Sequence, residues 1–216
     1  MSGSTLESEL KFRADDAAPL DRLAAASSLG RATLGPATTI DERDRYLDTA
    51  DLRLATAGWA CRLRSRGDGV KVSLKGPARH LPGAALHERP EIEGPATQHL
   101  DPGRWSASRA RKRLLELTGG RPLIERFRLD QRRTERSVTL SGRSAGLLSL
   151  DRVSVRDGDR LVGHLFVVEL EFRPSPDLAV VAAELGADLA AQEGLRPDAE
   201  TKLVHALDLL SAAQAR

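Results

Sequence analysis

The feature that most constrains this chain is a set of short segments in which charges recur at every second position. In a β-strand, residues i and i+2 share a face and stand roughly 6.5–7 Å apart, so such a segment lays one charged row along one side of a sheet. Glu7, Glu9 and Lys11 form one row, with Leu6, Leu10 and Phe12 on the other face. Arg62 and Arg64 form a second, and Lys71, Ser73 and Lys75 a third. Arg89, Glu91 and Glu93 form a fourth, Arg126 and Arg128 a fifth, and Glu169 and Glu171 a sixth, backed by Val168, Leu170 and Phe172. An open sheet with one solvated face would explain any single row. Several rows together, three of them containing a Glu-x-Glu pair, point to a sheet rolled up with its charged face inward. Isolated buried charges would be prohibitive, so the interior must hold water and an ionic ligand. Arg and Lys suit a polyanion, and carboxylate pairs suit a hard divalent cation such as Mg2+ or Mn2+.

The rest of the chain supplies the frame. Strands are expected at 5–13, 44–49, 59–66, 70–75, 87–93, 123–129, 133–140, 145–155 and 161–172, with a hairpin around Gly67-Asp68-Gly69. Helices are expected at 16–27, 106–117, 177–192 and 198–213, with a turn or short helix at 50–56. No repeat or composition break divides the 216 residues, so a single α+β domain spanning 1–216 is the expectation.

Composition narrows the function classes. The 33 basic and 31 acidic residues nearly cancel, which argues against a general nucleic-acid surface. Seven aromatic residues leave little for base-stacking platforms. No apolar run is long enough to span a membrane, and the opening MSGSTLESELKF has no secretory pattern. The single Cys61 permits no internal disulfide, so a cytoplasmic location is the default. It alternates with Arg62 and reads as a small core residue. Arg126 and Arg128 read as outward-facing or salt-bridged, and Asp48-Thr49 as a turn or barrel-corner pair. The histidines show no metal-ligand spacing.

Taken in order, these segments resemble the CYTH superfamily, the triphosphate tunnel metalloenzymes. Glu7-Ser-Glu9-Leu-Lys11 is similar to the family's Glu-x-Glu-x-Lys signature. Tyr46-Leu47-Asp48-Thr49, Arg62-Leu-Arg64, Ser73-Leu-Lys75-Gly-Pro77, Arg89-Pro-Glu91-Ile-Glu93, Arg133-Thr134, Leu150-Asp151, Glu169-Leu-Glu171 and Lys202 resemble its later motifs. The departures are Ser73 for a usual Thr and Leu47 for a common aromatic. The family's companion His-rich helical CHAD module finds no counterpart.

The resemblance implies an eight-stranded antiparallel closed β-barrel, the triphosphate tunnel, with flanking helices. It also implies Mg2+- or Mn2+-dependent hydrolysis or transfer at a small triphosphate. Carried over by position, Glu7, Glu9, Asp151, Glu169 and Glu171 would bind metal. Lys11, Arg62, Arg64, Lys75, Arg89, Arg133 and Lys202 would hold phosphate. Glu91 and Glu93, with Lys11, Arg62 and Arg64, would serve the in-line attack of water. Scarce aromatics tilt the substrate towards inorganic tripolyphosphate. A class IV adenylyl cyclase, a thiamine-triphosphatase-like activity and a non-enzymatic polyphosphate- or nucleotide-binding module are the alternatives.

Overall fold

In the computed structural model, which describes residues 5–67, 69–77, 79–80 and 86–215 (side chains of 5–7, 79–80 and 86–87 excepted), eight long strands dominate. They are β1 (Thr5–Ala14), β2 (Thr38–Thr49), β3 (Ala60–Arg66), β4 (Gly69–Lys75), β5 (Leu86–Pro95), β6 (Leu123–Leu140), β7 (Arg143–Asp157) and β8 (Arg160–Phe172). All pair antiparallel, and the pairs close a ring in the order β1-β5-β4-β3-β2-β6-β7-β8 and back to β1. Closure joins the first strand to the last, with Glu9 opposite Glu171 and Lys11 opposite Glu169. The β6–β7 hairpin turns on Ser141 (φ 51°) and Gly142 (φ 75°), the left-handed pair that a two-residue turn matching sheet twist requires.

Helices α1 (Ala18–Ala25), α2 (Arg53–Thr56), α3 (Arg109–Thr118), α4 (Leu178–Ala190) and α5 (Lys202–Gln214) complete the fold. Outward-facing apolar rows are covered in two places. Leu10, Phe12, Leu148, Val168 and Leu170 pack with Leu20 and Leu23 of α1 and Leu185 and Leu189 of α4. Cys61, Leu63, Val72 and Leu74 pack with Leu54, Ala110 and Leu114. Asp48 anchors α2, its carboxylate accepting from the Leu54 and Ala55 amides at 2.9 and 3.0 Å. The expected corner role of Asp48 is therefore what the fold uses.

Along β6 and β7 the inward-facing row changes character. Arg133 and Gln131 give way to Leu129 and Phe127, and Asp151 gives way to Val153 and Val155. The apolar end of these rows packs against Ala206 and Leu210 of α5, beside Tyr46 stacked on Phe127 at 4.7 Å. α5 therefore fills one end of the barrel, a plug that period-2 patterning does not reveal.

The expected elements form with shifted bounds. Two differences matter. β2 begins at Thr38 and not at 44, and β6 runs unbroken where two strands were expected.

Candidate active site in the barrel

Strand parity sends the charged rows of β1, β3, β4, β5 and β8 inward, the Arg126/Arg128 row of β6 being the exception, and the ring order decides which rows face each other. β1 and β8 are neighbours, so Glu9, Glu169 and Glu171 share one wall. β3 lies across the ring, and its Arg62 and Arg64 share the opposite side with Lys75 of β4. The space between is a cavity of about 240 Å3 lined by these residues together with Glu91, Glu93, Arg133 and Ser149. Deeper, under α5, a chamber of about 40 Å3 is lined by Lys11, Tyr46, Arg62, Lys75, Arg89, Glu169 and Lys202.

The predicted residues thus converge, with qualifications. Glu7 belongs to β1 opposite Arg89, but its side chain lies outside the described residues. Glu93 and Glu171 are exposed and stand at the mouth. Asp151 lines neither cavity, because its carboxylate is fully buried behind Arg133 and Lys202. Arg128 faces outward as expected, 3.5 Å from Asp130.

The cations and carboxylates are interlocked. Arg133 forks onto Asp151 through two 2.7 Å bonds and reaches Glu169 at 3.2 Å. Lys202 donates to Asp151 and, at 2.7 Å, to Glu169. Lys11 and Arg89 meet Glu9 at 3.0 and 3.2 Å. Glu91 takes Arg62 at 3.7 Å, Lys75 at 3.5 Å and the Ser73 hydroxyl. Lys202 is the first residue of α5, where a helix dipole disfavours a cation, and two carboxylates hold it there.

These contacts overrule burial. Desolvation works to raise the Asp151 and Glu169 carboxyls, but Lys202 and Arg133 bring both below their ordinary values. Burial likewise works to lower Arg62, Arg133 and Lys202, and their carboxylate neighbours raise all three. Both sets are charged at neutral pH.

Sequence reasoning missed a third layer behind the arginines. Asp44 accepts two 2.7 Å bonds from Arg64 and one of 2.7 Å from Gln131, and lies 3.6 Å from Arg62. Glu42 lies next along the same inward row. The signal was present as Glu42-x-Asp44-x-Tyr46, an alternation like the others.

Whether the site suits a divalent cation turns on its donors. Glu9, Glu169, Glu171 and Ser149 offer only oxygen, the set that Mg2+ and Mn2+ prefer. Among the described residues no three carboxylate, His or Cys side chains form a ready cluster. The carboxylates are held by cations instead. The donor chemistry fits, and a polyanion that engages the cations would leave the carboxylates open to an ion.

Among the described residues no helix is long and apolar enough to cross a membrane. The CYTH domain family model matches residues 5–207. HpAC1 from Hippeastrum, an adenylyl cyclase candidate described as having a dominant triphosphatase activity, superposes with a TM-score of 0.68 at 18% identity, over 94% of this chain and 95% of that one. An adenylate cyclase candidate from Bacillus halodurans gives 0.62 at 20% identity over 94% and 98%. A mimivirus capping enzyme triphosphatase gives 0.51 at 13% identity over 87% and 88%. No curated protein matches the sequence.

Proposed function

The chain belongs to the CYTH domain family, and we propose that it hydrolyses a small triphosphate, inorganic tripolyphosphate first, with the help of Mg2+ or Mn2+. One observation carries the reading: a 240 Å3 cavity with a carboxylate wall on β1 and β8 facing an Arg/Lys wall on β3 and β4. A binder of polyanions needs the second wall only. The triphosphatase activity described for HpAC1 supports the same reaction class.

The cavity is smaller than the about 300–1,000 Å3 of pockets that enclose drug-sized ligands. α5 closes its inner end. Both facts support a bare triphosphate, with any organic group left outside the mouth.

Arg62, Arg64 and Lys75 bind phosphate oxygens from one side, while Arg133, Arg89, Lys11 and Lys202 complete the ring of cations. Arg supplies a planar two-point fork and Lys a point charge. Glu9, Glu169 and Glu171, with Glu7 by register, would hold the ion. When bound it neutralises charge on the transferring phosphoryl group. Asp151 leaves the metal set in this reading. Fully buried and claimed by Arg133 and Lys202, it positions those two cations. Glu91, between Arg62 and Lys75, keeps their heads apart and aimed inward until phosphate replaces it. Water then attacks the terminal phosphorus in line with the leaving oxygen.

The test is a substrate panel of tripolyphosphate, ATP and thiamine triphosphate with Mg2+ or Mn2+, following released phosphate and cyclic AMP together. Fastest phosphate release from tripolyphosphate is expected. Cyclic AMP as the main product would make it a cyclase, and binding without turnover of any substrate would make it a polyphosphate-binding module.

A further inference from the structure

Among the described residues, Glu42 is the buried tunnel carboxylate that accepts no hydrogen bond. It points inward from β2, in register with Gln131 of β6 and Arg66 of β3. Its side chain is fully buried, at 0% exposure. Neither carboxylate oxygen accepts a hydrogen bond, and the facing Gln131 Oε1 accepts none either. Three guanidinium groups surround it: Arg64 at 3.2 Å, Arg66 at 3.5 Å and Arg133 at 3.8 Å.

Each of those arginines is oriented by something closer. Arg64 forks onto Asp44 at 2.7 Å, Arg66 donates to Glu135 at 2.9 Å, and Arg133 forks onto Asp151 at 2.7 Å. Glu42 therefore steers none of them. A buried carboxylate without a hydrogen bond is costly. What remains is its charge, placed behind the cations that meet the ligand.

We propose that Glu42 is a counterweight to the basic wall, setting how tightly the tunnel holds polyphosphate and how readily it releases the product. This rests on the triphosphate reading above. Phosphate oxygens drawing on Arg64 and Arg133 bring negative charge towards a fixed negative group. That repulsion is felt by substrate and by pyrophosphate alike, and it weakens binding without removing any contact. Where release limits turnover, uniform binding that is too tight slows the enzyme.

The experiment compares the wild type with Glu42→Gln and Glu42→Asp. Calorimetry in EDTA gives Kd for tripolyphosphate and pyrophosphate, and steady-state assays with metal give kcat and KM. One unit charge removed at several ångströms in a partly screened interior should tighten both ligands about tenfold in Glu42→Gln. KM and kcat should then fall together, and pyrophosphate inhibition should strengthen. Glu42→Asp keeps the charge and should bind within about twofold of the wild type. If Glu42 only props the arginines, Glu42→Gln binds more weakly or equally, and the proposal is overturned. Should Glu42→Gln fail to fold, Glu42→Thr, neutral and at home in a strand, carries the same expectation. A wild type that binds no tripolyphosphate overturns the functional reading and the counterweight with it. A wild type that binds it while the neutral variants are unchanged overturns the counterweight alone.

Discussion

Replacing Asp44 by Asn should destabilise the protein by about 3–5 kcal/mol at pH 7, the range for breaking a buried ion pair from one side. The contacts say why. One oxygen accepts from Arg64 Nε, and the other from Arg64 Nη2 and Gln131 Nε2, all at 2.7 Å. An amide turns one of these acceptors into a donor facing donors. The carboxyl is buried, with 1% of the side chain exposed, and burial alone would raise its pKa. Arg62 and Arg64 outweigh that and hold it at about 2, against 3.8 for an ordinary Asp. At about 1.36 kcal/mol per pKa unit, the ionised form is worth about 2 kcal/mol to the folded state. The folded value is the depressed one. The contribution is therefore complete above the unfolded value of 3.8 and is lost as pH falls towards 2. Roughly half should be gone at pH 3. Urea titrations of both proteins at pH 7, 5, 4 and 3 would measure this. The gap between them should be constant from pH 7 to 5 and shrink below 4. A gap under about 1 kcal/mol at pH 7, or one unchanged at pH 3, would refute the argument.

Three further outcomes are expected. Glu171→Gln, at the exposed mouth, should leave stability within about 0.5 kcal/mol but raise the metal concentration needed for half-maximal activity, and an unchanged metal titration would remove Glu171 from the ligand set. Arg62→Lys keeps the charge and loses the fork, so kcat/KM for tripolyphosphate should fall by the equivalent of about 2–4 kcal/mol, mostly in kcat; wild-type rates would show that Arg62 does not grip the transferring group. Cys61 is 1% exposed, and burial, helped by Asp48, pushes its thiol up to about 12, so native protein at pH 8 should resist thiol reagents that label it fully in urea, and rapid native labelling would contradict the packing under α3.

The rows that backed onto an apolar outer face were readable as strands. Glu169 and Glu171 alternate with Val168, Leu170 and Phe172, and those side chains are the core beneath α4. The stretches that failed are polar on both faces. In β2, Glu42 and Asp44 face inward while Asp41, Arg43 and Arg45 face a solvated outer groove, so no apolar alternation marks 38–43 as strand. The same holds at Asp130-Gln131-Arg132, where β6 read as two pieces. A tunnel strand with polar residues on both faces carries no hydrophobic period, and Glu42, Asp44 and Gln131 all fall in such stretches. α5 was readable as a helix. That it plugs the barrel follows from the apolar ends of β6 and β7, which only the ring brings together.

The seam between β1 and β8 also makes the first strand wait for the last before the ring can close. Glu9 and Glu171 are register partners separated by most of the chain, so β1 leaves the ribosome long before its neighbour exists. At about 5–20 residues per second, it waits some 10–30 seconds with one edge unpaired. An unpaired strand invites pairing with another nascent chain, and charged side chains are the usual deterrent. Glu9 and Lys11 are such charges on that strand. Until the last strand arrives, Glu9 and Lys11 place charge along an edge that would otherwise be open to mispairing.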